Sequence, residues 1–197
     1  MSSVAPKAVV LAGPNGAGKS TSAARLLRGV LKVDEFVNAD TIALGLSAFA
    51  QERVAFQAGR IMLTRLSELA SANSSFGFET TLASRSYATW LKELRTKGYN
   101  THLVFLWLPS SDEAVARVAE RVRTGGHDVP ETTIRRRYEA GLKNLLSLYM
   151  PLANTWQLLD ASLLRSPRRI AVGGEHGPAR VFDQLTWQRI LDKVQRP

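Results

Sequence analysis

The sequence predicts an α/β fold, a parallel β-sheet flanked by helices. Three observations predict it. Strand-like and helix-like stretches alternate along most of the 197 residues. The first strand pattern runs straight into a glycine-rich turn and then a helix. The longest apolar run, "THLVFLWLP", has the length of a fully buried strand and is far short of the ~18 residues that span a membrane.

The elements follow in order. Residues 7–13, "KAVVLAG", form a β-branched run, and "KSTSAARLLRGVL" is helix-forming. "EFVNAD" is a second strand ending on Asp40. An amphipathic helix runs from about Phe49 to Ala72, with Val54, Ala58, Ile61, Met62 and Leu69 at helical spacing. "FGFETTLAS" reads as a third strand with its loop, "SYATWLKELRTKG" as a helix closed by Gly98, and "THLVFLWLP" as the fourth strand. Residues 111–123 are helical, with Val115, Val118, Ala119 and Val122 as a buried stripe and Arg117 and Arg121 on the opposite face. "TGGHDVP" breaks the pattern and "ETTIRRRYEAGLKNLLSLY" restarts it. "TWQLLDAS" and "RRIAVGG" are later strand candidates, "SPRRIAVGGEHGPARVF" suits a hairpin or loop, and "DQLTWQRILDKV" closes the chain as a helix.

Length and composition suit one domain over residues 1–197, with 45% hydrophobic and 22% charged residues. The chain has no cysteine, so disulfides, thiolate metal sites and thiol nucleophiles are excluded. No signal peptide or membrane-spanning run is visible, which predicts a cytoplasmic protein without a membrane partner. Lys and Arg number 26 against 17 Asp and Glu, a net charge of +9. That excess suits anionic ligands, and part of it is concentrated: Arg117, Arg121, Arg123, Arg135, Arg136 and Arg137 crowd a short segment.

The turn itself is Gly13-Pro14-Asn15-Gly16-Ala17-Gly18-Lys19-Ser20, followed by Thr21, and it fits G-x-x-x-x-G-K-[ST] in full. Glycines let backbone N–H groups turn inward around a phosphate, and the helix that follows adds the positive end of its dipole. Lys19 reaches the β- and γ-phosphates of ATP, and the Ser20 hydroxyl binds Mg²⁺. The fold class is therefore a P-loop NTPase of the nucleotide-kinase kind. Neither an LSGGQ signature nor a strand ending in Asp-Glu is present, so a small kinase is favoured over an ABC-type motor.

Asp40, at the carboxyl end of the second strand, can orient and deprotonate an acceptor hydroxyl, contact Mg²⁺ through water, or simply cap the helix "TIALGL". Glu79, Thr80 and Thr81 place an acid and two hydroxyls at the next strand tip, where they suit a sugar or another polyol. The arginine segment, about residues 113–147, reads as an inserted helical lid bent at Gly125-Gly126, whose arginines neutralise a transferring phosphoryl group. His127, in that bend, can touch substrate or phosphate.

Together "GPNGAGKST", "FVNAD", "FETTLAS" and "ARVAERVRTGGHDVPETTIRRRYEAGLKNL" resemble the zeta-toxin family of P-loop kinases, over about Val9 to Ser162. The closest branch is the chromosomal one described as predicted ABC-type ATPases or kinases, marked by "GGHDVP" and "RRRY". The resemblance implies an ATP- and Mg²⁺-dependent kinase acting on the 3′-hydroxyl of UDP-N-acetylglucosamine, or on another nucleotide such as NAD. It implies Asp40 as general base, Glu79 and Thr81 as substrate-holding groups, and Arg121 as the first lid arginine. Arg136 is taken as the second, with Arg135 and Arg137 as competitors, and Arg117 and His127 join the substrate-binding set. A small antitoxin protein is the implied partner. Two other readings stand beside it: a kinase of nucleic-acid 5′-hydroxyl ends, less favoured because no aromatic-rich RNA-binding motif is present, and an NTP-binding regulatory module.

Overall fold

The computed structural model describes residues 5–163 and 166–195. Residues 1–4, 164–165 and 196–197 of the expected domain lie outside them. Seven strands form one sheet in the order β2-β3-β1-β4-β5-β6-β7. They are β1 (Lys7–Ala12), β2 (Glu35–Val37), β3 (Phe76–Thr80), β4 (Asn100–Trp107), β5 (Thr155–Asp160), β6 (Arg168–Gly174) and β7 (Gly177–Val181). The first five in space are parallel. The last two are antiparallel and form the hairpin foreseen near the C-terminus, so the sheet is mostly rather than wholly parallel.

The central strands carry apolar residues at consecutive positions because helices cover both faces. Ala8 to Ala12 are at most 1% exposed, and Phe76, Phe78, Leu106 and Leu108 are fully buried. Each large side chain of this kind stabilises the fold by about 1.5–3 kcal/mol relative to exposure. The helices are α1 (Lys19–Ala24), α2 (Ala39–Leu46), α3 (Gln51–Ser71), α4 (Ser86–Thr96), α5 (Ser111–Arg123), α6 (Glu131–Asn144), the short α7 (Met150–Leu152) and α8 (Gln184–Gln195). π-helical segments extend α1 through Arg25–Leu31 and join α6 to α7 through Leu145–Tyr149.

Two helical expectations need correcting. In α3 the buried face is Ala58, Met62, Leu66 and Leu69, and Ile61 is exposed. In α5 the buried residues are Ala114 and Val118, whereas Ala119 and Val122 are exposed, because only the first two turns of the helix reach the core. The segment expected as a helical lid is anchored on the body. Ala114 and Val118 of α5, and Ile134, Tyr138 and Leu142 of α6, belong to the same hydrophobic core as the sheet. What stands over the glycine-rich turn is the middle of α5, with Ala114, Arg117 and Val118 against Gly16, and Arg117, Glu120, Arg121 and Thr124 line the cleft beside it.

Candidate active site

The register of the sheet brings three strand ends to one level. Leu11 pairs with Glu79 and Ala12 with Thr80 across β1 and β3, while Val37 pairs with Phe78 across β2 and β3. The phosphate loop therefore emerges beside Glu79, and the chain after β2 emerges on its far side. Gly16 has φ +79°, and a Cβ there would stand 2.9 Å from the Cβ of Arg117 on α5, so the position requires glycine twice over.

Lys19, the first residue of α1, is 6% exposed. Its Nζ donates to the Pro14 carbonyl at 2.9 Å and lies 3.6 Å from Glu79 Oε1. Burial pushes its pKa below the ordinary lysine value, the Glu79 and Asp40 carboxylates pull it back, and Arg121 pushes it further down. Two polar side chains then converge on the other carboxylate oxygen. Ser20 Oγ donates to Glu79 Oε2 at 2.7 Å, and Asn38 Nδ2 donates to the same oxygen at 2.7 Å and to Ser20 Oγ at 3.3 Å.

Asn38 was missed in the sequence. It is the N-cap of α2: its Oδ1 accepts from the backbone N–H of Asp40 at 2.7 Å and of Thr41 at 3.4 Å. Its signal was an Asn between the apolar "EFV" and the helical "ADTIALGL", a standard capping position. The capping role weighed for Asp40 thus belongs to Asn38. Asp40 sits not at the end of β2 but in the first turn of α2, exposed, with its carboxylate free for other work.

Asp40, Glu79, Lys19, Ser20, Thr21, Asn15, Gly16, Gly18, Arg117, Glu120, Arg121 and Thr124 line one cleft of about 360 Å³. Gly13, Pro14 and Ala17 complete the loop as buried residues. Two polar atoms in this lining are buried without a hydrogen-bond partner, Asn15 Oδ1 and Arg121 Nε. Such orphans are costly in a folded protein and mark a place where a polar ligand fits.

The arginines divide sharply. Arg117 is 14% exposed and committed to its own chain, donating to the carbonyls of Ala161 at 2.8 Å and Ser162 at 2.6 Å and pairing with Glu113 at 2.5 Å. The loop it grips is itself tied by Asp160, which accepts from the Ser162 N–H at 2.8 Å. Arg121 donates to the His127 carbonyl at 2.6 Å, so the Gly125-Gly126 turn folds back over it. His127 thereby contributes a backbone acceptor and stands outside the cleft lining. Arg135 clamps α6 to α5 through Glu131 at 2.8 Å and Asp112 at 2.5 Å. Arg136 is exposed. Arg137 also stands outside the cleft lining but is half-buried: burial lowers its pKa, and the Asp40 carboxylate pulls it back up.

Thr81 lies just past β3, outside the cleft lining, and its carbonyl meets Gly141 of α6 so closely that a Cβ could not be accommodated. Asn144 Nδ2 donates to the Leu82 carbonyl at 2.8 Å, and Tyr149 OH to that of Ser84 at 2.5 Å. Leu82 adopts a left-handed φ of +58° within this loop.

No group of three or more His, Cys, Asp or Glu with metal-binding geometry exists among the described residues. The donors at hand are the hydroxyl and carboxylate of Ser20 and Glu79, hard oxygens of the type Mg²⁺ accepts when substrate phosphates supply the remainder. They fit that ion.

The profile of a family described as an AAA domain matches residues 9–140, more than half of the sequence. The chain belongs to that family. A protein of Haemophilus influenzae without a described function is 28% identical over 134 residues, covering 67% of this AAA-domain chain and 92% of its own. Among solved structures, the AvrRxo1-ORF1:AvrRxo1-ORF2 complex with sulphate ions contains a chain with TM-score 0.76 at 15% identity, covering 95% of this chain and 64% of that one. This chain thus spans less than two thirds of that larger partner in the comparison. A structure of the PezAT chromosomal toxin-antitoxin system of Streptococcus pneumoniae gives TM-score 0.64 at 14% identity, covering 98% of this chain and 86% of that one. At these identities the likeness is one of fold, a P-loop kinase-like sheet. No described helix is long and apolar enough to cross a membrane.

Proposed function

We propose that this protein is an ATP-dependent phosphotransferase of the zeta-toxin type. It would move the γ-phosphate of ATP to a sugar hydroxyl of a nucleotide, with the 3′-hydroxyl of UDP-N-acetylglucosamine as the first candidate acceptor. The observation that carries the reading is the 360 Å³ cleft, in which a complete phosphate loop meets one free carboxylate, Asp40, and a cation, Arg121.

In this reading the loop amides and Lys19 hold the ATP phosphates. Mg²⁺, held at Ser20 and Glu79, would neutralise charge on the β- and γ-phosphates. Asp40 accepts the proton of the acceptor hydroxyl as its oxygen bonds to the γ-phosphorus; the bond to the β–γ bridging oxygen breaks and ADP leaves. Arg121 neutralises the transferring group from one side. Arg137, rather than the exposed Arg136, supplies the second lid cation, supported by its burial and its proximity to Asp40. Arg117 acts by placing the middle of α5 above Gly16.

NAD is the alternative nucleotide acceptor. A small antitoxin partner is proposed as well, in line with the two-protein toxin-antitoxin system among the structural neighbours. The test is an acceptor screen with γ-labelled ATP and Mg²⁺, offering UDP-N-acetylglucosamine, other UDP-sugars, NAD and 5′-hydroxyl oligonucleotides. Label on a nucleotide hydroxyl is the expected result. ATP hydrolysis with no acceptor labelled would overturn the proposal.

A further inference from the structure

The outward face of α3 has no role in the cleft, yet it is built unlike a solvated surface. Six of the eleven large apolar side chains exposed among the described residues lie between Leu44 and Leu63. Phe49 is fully exposed, and Phe56 is 81% exposed. Their spacing is regular. Arg53, Phe56, Arg60 and Leu63 recur at intervals of three and four, all exposed, on the side of the helix opposite the buried Ala58, Met62, Leu66 and Leu69. A helix of 21 residues thus carries two stripes, one toward the core and one toward solvent.

The outer stripe borders a groove of about 790 Å³ between α3 and the free edge of β2, floored by Phe36 and Ile42. Exposed apolar patches of this density mark interaction surfaces. Charge then selects the occupant. Arg65, on the groove's wall, is satisfied by Glu35 and Glu68. Arg53 and Arg60 join no ion pair among the described residues, so the stripe offers alternating apolar and cationic sites. A second copy is a poor match. Antiparallel pairing centred between Phe56 and Gln57 sets Arg53 against Arg60, and parallel in-register pairing sets each arginine against itself. An added strand is also poorly served, because β2 is only three residues long and offers few backbone hydrogen bonds.

We infer that the outer face of α3 docks an acidic amphipathic helix of a partner protein, with its apolar side on Phe56 and Leu63 and its carboxylates on Arg53 and Arg60. This surface is separate from the phosphate loop and does not depend on which acceptor the enzyme uses.

The test uses the full chain and a fluorescent 18-residue synthetic helix, with leucines at i, i+3, i+4 and i+7 spacing and glutamates elsewhere. A control peptide carries lysine at every glutamate position. Anisotropy titration should give saturable binding of the acidic peptide and little of the basic one. Phe56→Ser and Arg60→Glu should each weaken it by roughly tenfold or more, while Leu185→Ser on a distant exposed site leaves it unchanged. Circular dichroism checks that each variant is folded. Equal binding of both peptides, or wild-type affinity in Phe56→Ser and Arg60→Glu, would overturn the inference. So would a dimer in sedimentation that Phe56→Ser abolishes, since that assigns the face to a second copy.

Discussion

Lys19 carries its charge almost fully buried at the start of α1, with Glu79 3.6 Å away as partial compensation. Its lowered pKa means that the unfolded chain holds this proton more tightly than the folded one. The group therefore opposes folding while it is charged, and that cost falls as pH rises and the folded protein gives up the proton. Lys19→Met should leave the melting temperature of the ligand-free protein unchanged or raised, and should abolish the upward shift that ATP produces in the wild type. Differential scanning fluorimetry with and without ATP checks both halves; a strongly destabilised ligand-free variant would contradict the account. At this scale the sequence was legible wherever a motif fixes a role. The loop from Gly13 to Ser20 needed no structure. Asn38 escaped because its importance comes from two elements at once: it caps α2 with one end of its amide and grips Glu79, 41 positions away, with the other.

The arginine run of α6 shows how an element chooses among neighbours. Successive residues on a helix point about 100° apart, so Arg135, Arg136 and Arg137 cannot share one target. Ile134, Tyr138 and Leu142 set the buried face. Arg137 lies beside that face on the same flank as Gly141, which presses on the Thr81 carbonyl, whereas Arg136 points away from the core. The apolar spacing was present in the sequence, but which flank meets Asp40 depends on how α6 lies across the sheet. Arg137→Gln should lower kcat by roughly 10²-fold, in the range for removing one transition-state donor, and Arg136→Gln should change it by less than about threefold, consistent with a solvated charge. Steady-state kinetics on both variants decides between them, and the reverse pattern would restore Arg136. Gly141→Ala drives a methyl group into the Thr81 carbonyl and should cost about 1–3 kcal/mol, as overpacking does, read from urea unfolding midpoints.

At the level of the whole molecule, five parallel strands bury the apolar runs that alternation predicted, and the antiparallel hairpin β6–β7 extends the sheet at the edge beyond β5. That extension was less legible, because "RRIAVGG" has no periodicity that distinguishes a parallel from an antiparallel neighbour. Two core tyrosines tie α6 and the segment after it to the loops under the site. Tyr138 OH donates to the Leu108 carbonyl at 2.8 Å, and Tyr149 OH to that of Ser84. Burial raises both pKa values, that of Tyr149 to about 12. The folded state then holds these protons more tightly than the unfolded chain. Their contribution is complete below the ordinary tyrosine value near 10 and is lost as pH rises toward 12. Stability from urea denaturation should fall between those limits, and less steeply in Tyr149→Phe than in the wild type; an equal slope would remove Tyr149 from this role.

The central claim is that the cleft between the phosphate loop and α2 transfers a phosphoryl group, with Asp40 taking the acceptor's proton. It is tested most directly by single-turnover transfer from γ-labelled ATP in wild type and Asp40→Asn, with ATP affinity measured on the same preparations. The account predicts an unchanged affinity and a transfer rate lower by roughly 10²–10⁴-fold, the contribution of a general base. Transfer by Asp40→Asn at near the wild-type rate would contradict it.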